Sequence, residues 1–87
     1  MNSDVDFCFL SDAMETLRAY PIGRKNVNQV VDVITHSDQP LAVWQVLNRL
    51  IRAFGGARWG ATYKLAQAMI AGAVTINSDG FVEVYNG

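Results

Sequence analysis

The side chains best suited to chemistry in this sequence are basic, and they are unevenly distributed. Residues 39–78 contain four basic side chains and no acidic one, a net charge of +4. The four are Arg49, Arg52, Arg58 and Lys64. Residues 1–38 have three basic and six acidic side chains, and residues 79–87 add two acidic ones, so the whole chain has a net charge of −1. Because local charge decides where a polyanion binds, the middle stretch is a candidate docking region. The alternative is that these cations simply lie on the solvent-exposed faces of two amphipathic helices and bind nothing.

Few residues could form a catalytic or metal site. His36 and Cys8 are the only histidine and cysteine, so the roughly four ligands of a zinc site are lacking, and nothing supports a nucleophile pair. We expect Cys8 to be a small buried residue and His36 to interact favourably with the dipole at a helix end. Asp12 and Glu15 have the spacing of helix-capping residues. We therefore expect no enzymatic activity, no metal and no cofactor.

The segment at residues 55–62, GGARWGAT, approximates a phosphate-binding loop. That motif requires a lysine where this chain has Ala61, and a preceding strand where this sequence predicts a helix. The glycines are better explained by a tight turn. In this turn we expect Trp59 to cover the core. The alternative is an exposed interface residue that acts together with Arg58.

Length and composition indicate one domain, residues 1–87, that has an interaction surface. The sequence is 51% hydrophobic and 17% charged, below the roughly 25% charged residues of typical soluble domains. A single cysteine excludes an intramolecular disulfide, the N-terminus is acidic where a signal peptide is basic, and no apolar run approaches a membrane span of about 18 residues. We therefore expect a cytoplasmic protein with no membrane partner.

The first half of the chain predicts two helices. Residues 4–20 repeat apolar side chains at helical spacing, with a start either near Asp4 or at Asp12. A second helix is predicted from a cap at Asn26 to about His36.

The second half predicts two more helices and a hairpin. One helix begins at Pro40 and ends at Phe54, with Trp44 on its core side. The next runs over residues 58–71, with Gly72 as its C-terminal cap. Two runs with period-two alternation then flank the turn at residues 77–80, which contains an Asp-Gly pair. The predicted fold class is therefore mostly α with a C-terminal β-hairpin.

This order of elements resembles a winged helix-turn-helix domain over residues 26–85. The matching segments are VVDVITHSDQPLAVWQVLNRL, YKLAQAMIAGAVTI and NSDGFVEVY. The resemblance implies that the first contains a scaffold helix, a short strand and a bracing helix, that the second is the recognition helix, and that the third is the wing. Two departures are a longer bracing helix, to Phe54, and a longer turn, GGARWG. The extra helix within residues 1–22 lies outside the motif but within the same domain, and we expect it to be a dimerisation element.

The resemblance also implies a function, that of a small transcriptional regulator. It would act as a homodimer on double-stranded DNA, using the helix at residues 58–71 and the wing turn at residues 77–80. The residues expected to contact phosphates are Arg49, Arg52, Arg58 and Thr62. Those expected at base edges are Tyr63, Lys64 and Gln67, and those expected in the wing contact are Asn77 and Ser78. Asp79 would repel phosphate there.

A function of another class is also compatible with the sequence. The low charged fraction and the acidic overall balance are typical of small interaction modules and inhibitors, including phage-type ones, that bind a larger protein complex. The residues expected to form that interface are Arg58, Trp59 and Tyr63.

Overall fold

A computed structural model describes the backbone of residues 3–85 and the side chains of residues 8–85. The elements in chain order are α1 (Ser3–Leu17), α2 (Arg24–Thr35), β1 (Leu41–Ala42), α3 (Val43–Phe54), α4 (Arg58–Ile70), β2 (Val74–Ile76) and β3 (Phe81–Val84). The predicted fold class is confirmed: the chain is mostly helical, it ends in an antiparallel hairpin, and an additional helix, α1, comes first.

α1 begins at Ser3, next to the earlier of its two predicted starts, whereas α2 begins at Arg24, before its predicted cap at Asn26. Because α1 starts at Ser3, Asp12 lies in the middle of the helix, and the capping role predicted for Asp12 and Glu15 is wrong. The N-cap of α2 is Gly23, with extended backbone, so Asn26 lies in the first helical turn rather than at the cap. Apolar periodicity located these helices correctly, whereas the polar residues chosen as caps, Asp12 and Asn26, are not at the helix starts.

A short strand replaces the predicted helix start at Pro40. Leu41 pairs with Val82 and thereby joins β1 to β3 in an antiparallel sheet of order β1-β3-β2. Both side chains are buried, so this long-range pairing outweighs the local preference of proline for a first helical position. The resemblance implied a short strand at this place, and α3 begins only after it.

Backbone geometry explains the two glycine-dependent turns. The turn between α3 and α4 has three residues, 55–57, rather than the six of GGARWG. Gly55 and Gly56 have φ of 79° and 91°, a region that disfavours side chains. In the hairpin, the Asn77 side-chain oxygen accepts hydrogen bonds from the backbone N–H groups of Asp79 at 2.9 Å and Phe81 at 3.1 Å. The predicted tight turn is therefore present.

The core lies where α2, α3 and α4 meet the inner face of the sheet. Its largest fully buried side chains are Leu41, Leu47, Leu50, Leu65, Val30, Val43 and Val46. Trp44, predicted to lie in the core, is only half-buried, because it is rotated about 100° around α3 from Val43. Cys8, also predicted to be buried, is exposed. It lies about 200° around α1 from the buried Leu10.

The additional helix α1 packs mainly against α4 and less extensively against α3. Leu10 and Ala13 are its buried residues, so much of the apolar side of α1 is covered within the same chain. α1 therefore lies along α4, the helix that the resemblance implied to be the recognition helix.

Candidate interaction surface

The groove between α1 and α4 has a volume of about 320 Å³. We call it the α1/α4 groove. Its lining residues from α1 are Phe9, Asp12, Ala13 and Thr16, and those from α4 are Arg58, Trp59, Thr62 and Tyr63. Each set recurs at intervals of three or four residues, which places its members on one face of their helix. The groove therefore contains all three residues predicted for a protein interface.

Exposed aromatic rings dominate this groove. The Trp59 side chain is 71% exposed and that of Phe9 is 60% exposed. The prediction that Trp59 covers the core is therefore wrong, because Ala61 and Leu65 occupy the inward face of α4. The Trp59 and Tyr63 rings meet edge to face, with centroids 6.0 Å apart and planes at 86°. This geometry is favourable for aromatic pairs and holds the indole in place.

The floor of the groove is closed by small residues. Ala13 is buried, and Thr62 is 6% exposed. The Thr62 hydroxyl donates a hydrogen bond to the backbone oxygen of Arg58 at 3.0 Å. The burial of Thr62 and its bond within the helix are at odds with the predicted phosphate contact. The floor is therefore shaped to receive an apolar group.

Arg58 connects the groove with the outer face of α3. Its Nη1 donates a hydrogen bond to Oδ1 of Asn48 at 2.8 Å. Asn48 precedes Arg52 by one helical turn, so the two lie next to each other on α3. On the α1 side, the carboxylate of Asp12 lines the same groove. Both charge signs therefore occur at the edge of an otherwise apolar groove.

The four predicted cations have three kinds of surroundings. Arg49 and Arg52 are exposed and line a second depression, of about 240 Å³, together with His36. Lys64 is directed elsewhere, with Nζ 5.4 Å from the centroid of the Phe54 ring, a cation–π contact. The structure thus brings Arg49 and Arg52 together, joins Arg58 to α3 through a side-chain hydrogen bond, and places Lys64 against Phe54.

Gln67, one of the residues predicted at base edges, is engaged within the protein. Its Oε1 accepts hydrogen bonds from the Gly23 N–H at 3.0 Å and from Nδ2 of Asn26 at 3.4 Å. A bidentate contact with adenine requires that same oxygen. Tyr63 is half-buried and packs against the core. The part of α4 predicted to read DNA is therefore largely occupied by intramolecular contacts.

The hairpin offers little to a polyanion. The Asn77 side chain is used in the turn, and its Nδ2 also lies 3.4 Å from Oε2 of Glu83. Ser78 and Asp79 are exposed at the tip. Residues 74–84 contain two acidic side chains and no basic one, so this segment repels phosphate.

Four groove residues were not predicted as site residues from the sequence: Phe9, Asp12, Ala13 and Thr16. A partial signal exists, since the intervals among them place them on one face of α1. The packing of that face against α4 depends on contacts more than 40 residues apart, which no local pattern reveals. His36 was predicted at the end of α2 and is its C-cap, where Nδ1 lies 2.8 Å from the Asp32 carbonyl oxygen.

The residues that the structure describes offer neither a metal cluster nor a membrane-spanning helix. They contain no group of three His, Cys, Asp or Glu side chains that could hold a metal ion. None of the described helices has the length and apolar character needed to cross a membrane. The chain matches no protein-family model, no curated protein and no solved structure.

Proposed function

We propose that this protein is an interaction module that binds another protein through the α1/α4 groove. The observation that supports this most directly is the exposure of Trp59, at 71%, beside a groove of about 320 Å³. Tryptophan, tyrosine and arginine are the residue types most enriched among those that dominate binding energy at protein interfaces. Trp59, Tyr63 and Arg58 bring all three types into this groove.

The chemistry of the groove favours an apolar side chain of the partner as the group that binds. Its walls are aromatic and its floor is formed by Ala13 and the buried Thr62. Burying exposed apolar area stabilises a complex by roughly 25 cal/mol per Å². Arg58 and Asp12 at the edges would orient the partner rather than supply most of the affinity. A module of this size could inhibit a larger complex by covering one of its contact surfaces.

Capture of a partner by matched variants tests this proposal. The immobilised full chain, Trp59→Ala and Tyr85→Ala are each incubated with the same extract, and retained proteins are identified and then purified for titration. Tyr85 is the control because it is also exposed but lies outside the groove. We expect the full chain and Tyr85→Ala to bind the same purified partner equally, and Trp59→Ala to bind it at least 30-fold more weakly, which is about 2 kcal/mol. Equal affinity of all three proteins for that partner would contradict the proposal.

DNA binding is the second candidate function. It is supported by the order of elements, with β1 between α2 and α3 and with the hairpin after α4, which is the order that a winged helix-turn-helix domain implies. It is also supported by the exposure of Arg49, Arg52 and Arg58. In this candidate a homodimer would place α4 and the turn at residues 77–80 on double-stranded DNA.

Salt-dependent binding of a duplex tests the second candidate. If α4 enters the major groove, Lys64→Ala should weaken binding of a labelled duplex, and Ser78→Ala should weaken it less. The logarithm of the association constant should fall with the logarithm of salt concentration by about 0.9 per phosphate contact. Unchanged affinity of Lys64→Ala would exclude this use of α4.

A further inference from the structure

A second depression lies between the C-terminal end of α2 and the outer face of α3. Its lining residues are Val33, His36, Arg49, Arg52 and Ala53, and its volume is about 240 Å³. None of them lines the α1/α4 groove. Arg49 and Arg52 are three residues apart on α3, so their side chains leave the helix on the same side, with Cβ atoms about 5–6 Å apart. Two guanidinium groups and an imidazole thus share one small concave surface.

The charges of this depression are not neutralised by the rest of the described chain. Among residues 8–85, neither Arg49 nor Arg52 has a carboxylate within 4.0 Å. The nearest acidic residues in sequence to His36 are Asp32 and Asp38, both exposed. The backbone oxygen of Asp32 is the group that contacts the His36 ring, at 2.8 Å from Nδ1. The two arginines therefore keep their hydrogen-bond donors available to an anion.

The His36 ring is held in a defined orientation. A carbonyl oxygen can only accept a hydrogen bond, so Nδ1 carries the hydrogen that bonds to Asp32. With Nδ1 as the donor, Nε2 of the neutral ring is a hydrogen-bond acceptor, so the donors for an anion at this depression come from Arg49 and Arg52. Arginine donors in a fixed planar fork suit phosphate oxygens particularly well. Two such forks three residues apart can hold a phosphate group from two directions.

We infer that Arg49 and Arg52 form a binding site for a backbone phosphate of a nucleic acid, with His36 at its edge. The depression lies on the outer face of two helices and is lined by exposed cationic residues, which suits a phosphate on the outside of a long polyanion. This inference does not depend on the α1/α4 groove. It deepens the second candidate function, with which it shares Arg49 and Arg52, but it needs no contact from α4 or the hairpin, so Lys64→Ala and R49Q/R52Q test the two separately.

Duplex binding by charge-matched variants tests this inference. A fluorescein-labelled duplex of mixed sequence is titrated with the full chain, with R49Q/R52Q and with R18Q/R24Q at several salt concentrations. The control pair removes the same charge from exposed positions on the N-terminal side. We expect R49Q/R52Q to lower the affinity at least tenfold and to make the salt slope less steep by about 1.8, at 0.9 per phosphate. For R18Q/R24Q and for Trp59→Ala, the change in the logarithm of the affinity and the change in the salt slope should each be less than half of those expected for R49Q/R52Q.

The outcomes that overturn the inference are equally specific. If the full chain does not bind the duplex, or if R18Q/R24Q loses as much affinity as R49Q/R52Q, there is no local phosphate site. Inorganic phosphate is then added at millimolar concentration while the side-chain resonances of His36 are observed. If inorganic phosphate shifts these resonances to saturation and the duplex does not displace the bound phosphate, the site binds a small phosphate ligand. The assignment to a nucleic acid is then wrong.

Discussion

The two concave surfaces of this protein are built in different ways. The α1/α4 groove is aromatic and apolar, and it exists only because α1 packs against α4. The depression lined by Arg49, Arg52 and His36, which we call the α2/α3 depression, is cationic and lies between α3 and the C-terminal end of α2. One surface therefore depends on the additional helix, whereas the other is formed without it.

This difference separates the two kinds of partner. An apolar groove with an exposed indole gains free energy by removing partner side chains from water. A shallow cationic surface gains it by releasing counterions from a polyanion, and is sensitive to salt. The packing of α1 beside α4 places the acidic Asp12 next to the predicted recognition helix. In the proposals made above, α4 therefore serves protein binding and α3 serves phosphate binding.

The largest expected effect comes from removing the residue that anchors α1. Leu10 is 3% exposed, and Leu10→Ala should lower the free energy of unfolding by about 2–3 kcal/mol, because it removes buried area and leaves a cavity. Partner binding at the groove should fall with the docking of α1. Duplex binding at the α2/α3 depression should persist at temperatures where the variant remains folded.

Urea denaturation measures the stability of this variant, and hydrogen exchange of α1 amides reports whether α1 is docked. If Leu10→Ala weakened partner and duplex binding to the same extent, the two surfaces would not be separable, and the comparison would fail.

The next largest effect concerns the turn that joins the two surfaces. Gly55 has φ of 79° with ψ of −170°, a conformation that only glycine adopts readily, so Gly55→Ala should destabilise the protein by about 1–2 kcal/mol. The matched control is Gly60, which lies within α4 and has no atom within 4 Å of an added Cβ. Gly60→Ala should stabilise the protein by up to about 1 kcal/mol.

Thermal unfolding of both alanine variants provides the measurement. A stabilising Gly55→Ala, or a destabilising Gly60→Ala, would mean that α3 and α4 are not joined as described.

A smaller effect on partner binding is expected when a single side chain on the α1 side of the groove is truncated. Phe9→Ala should weaken partner binding about tenfold, which is about 1.4 kcal/mol, while changing the free energy of unfolding by less than about 0.5 kcal/mol, since the ring is 60% exposed. Tyr20→Ala is the control, because Tyr20 is similarly exposed but does not line the groove. Titration calorimetry of both variants distinguishes a loss of contact from a loss of fold. Equal loss of affinity in both would place the interface outside the groove.

The sequence predicted what depends on local spacing. Apolar periodicity located four helices, and the Asp79-Gly80 pair located the hairpin, because both signals come from residues close together in the chain. The helix start predicted at Pro40 was wrong, because Leu41 and Ala42 form a strand by pairing with β3, far away in the sequence. The exposure of Trp59 was missed for a similar reason, because whether a helical residue is covered depends on which helix packs beside it.

The same distinction between local and long-range contacts applies to the candidate site residues. Arg58, Trp59 and Tyr63 are close in sequence, and they were predicted together and lie together in the groove. Phe9 and Asp12 join them only through the tertiary packing of α1. Gln67 was predicted to face DNA from its position on α4, but its hydrogen bond to Gly23 is a long-range contact. Local sequence thus identified side chains of suitable chemistry, and tertiary packing decided which of them remain accessible.

Mapping amide chemical shifts on the full chain during titration with the captured partner tests the central claim most directly. We predict that the largest changes occur at the Trp59 indole N–H and at the amides of Ala13, Thr16 and Tyr63, with little change at residues 77–80. If instead the largest changes occur at residues 77–80 and Lys64, and the groove amides do not move, the α1/α4 groove is not the binding surface and the proposed function is wrong.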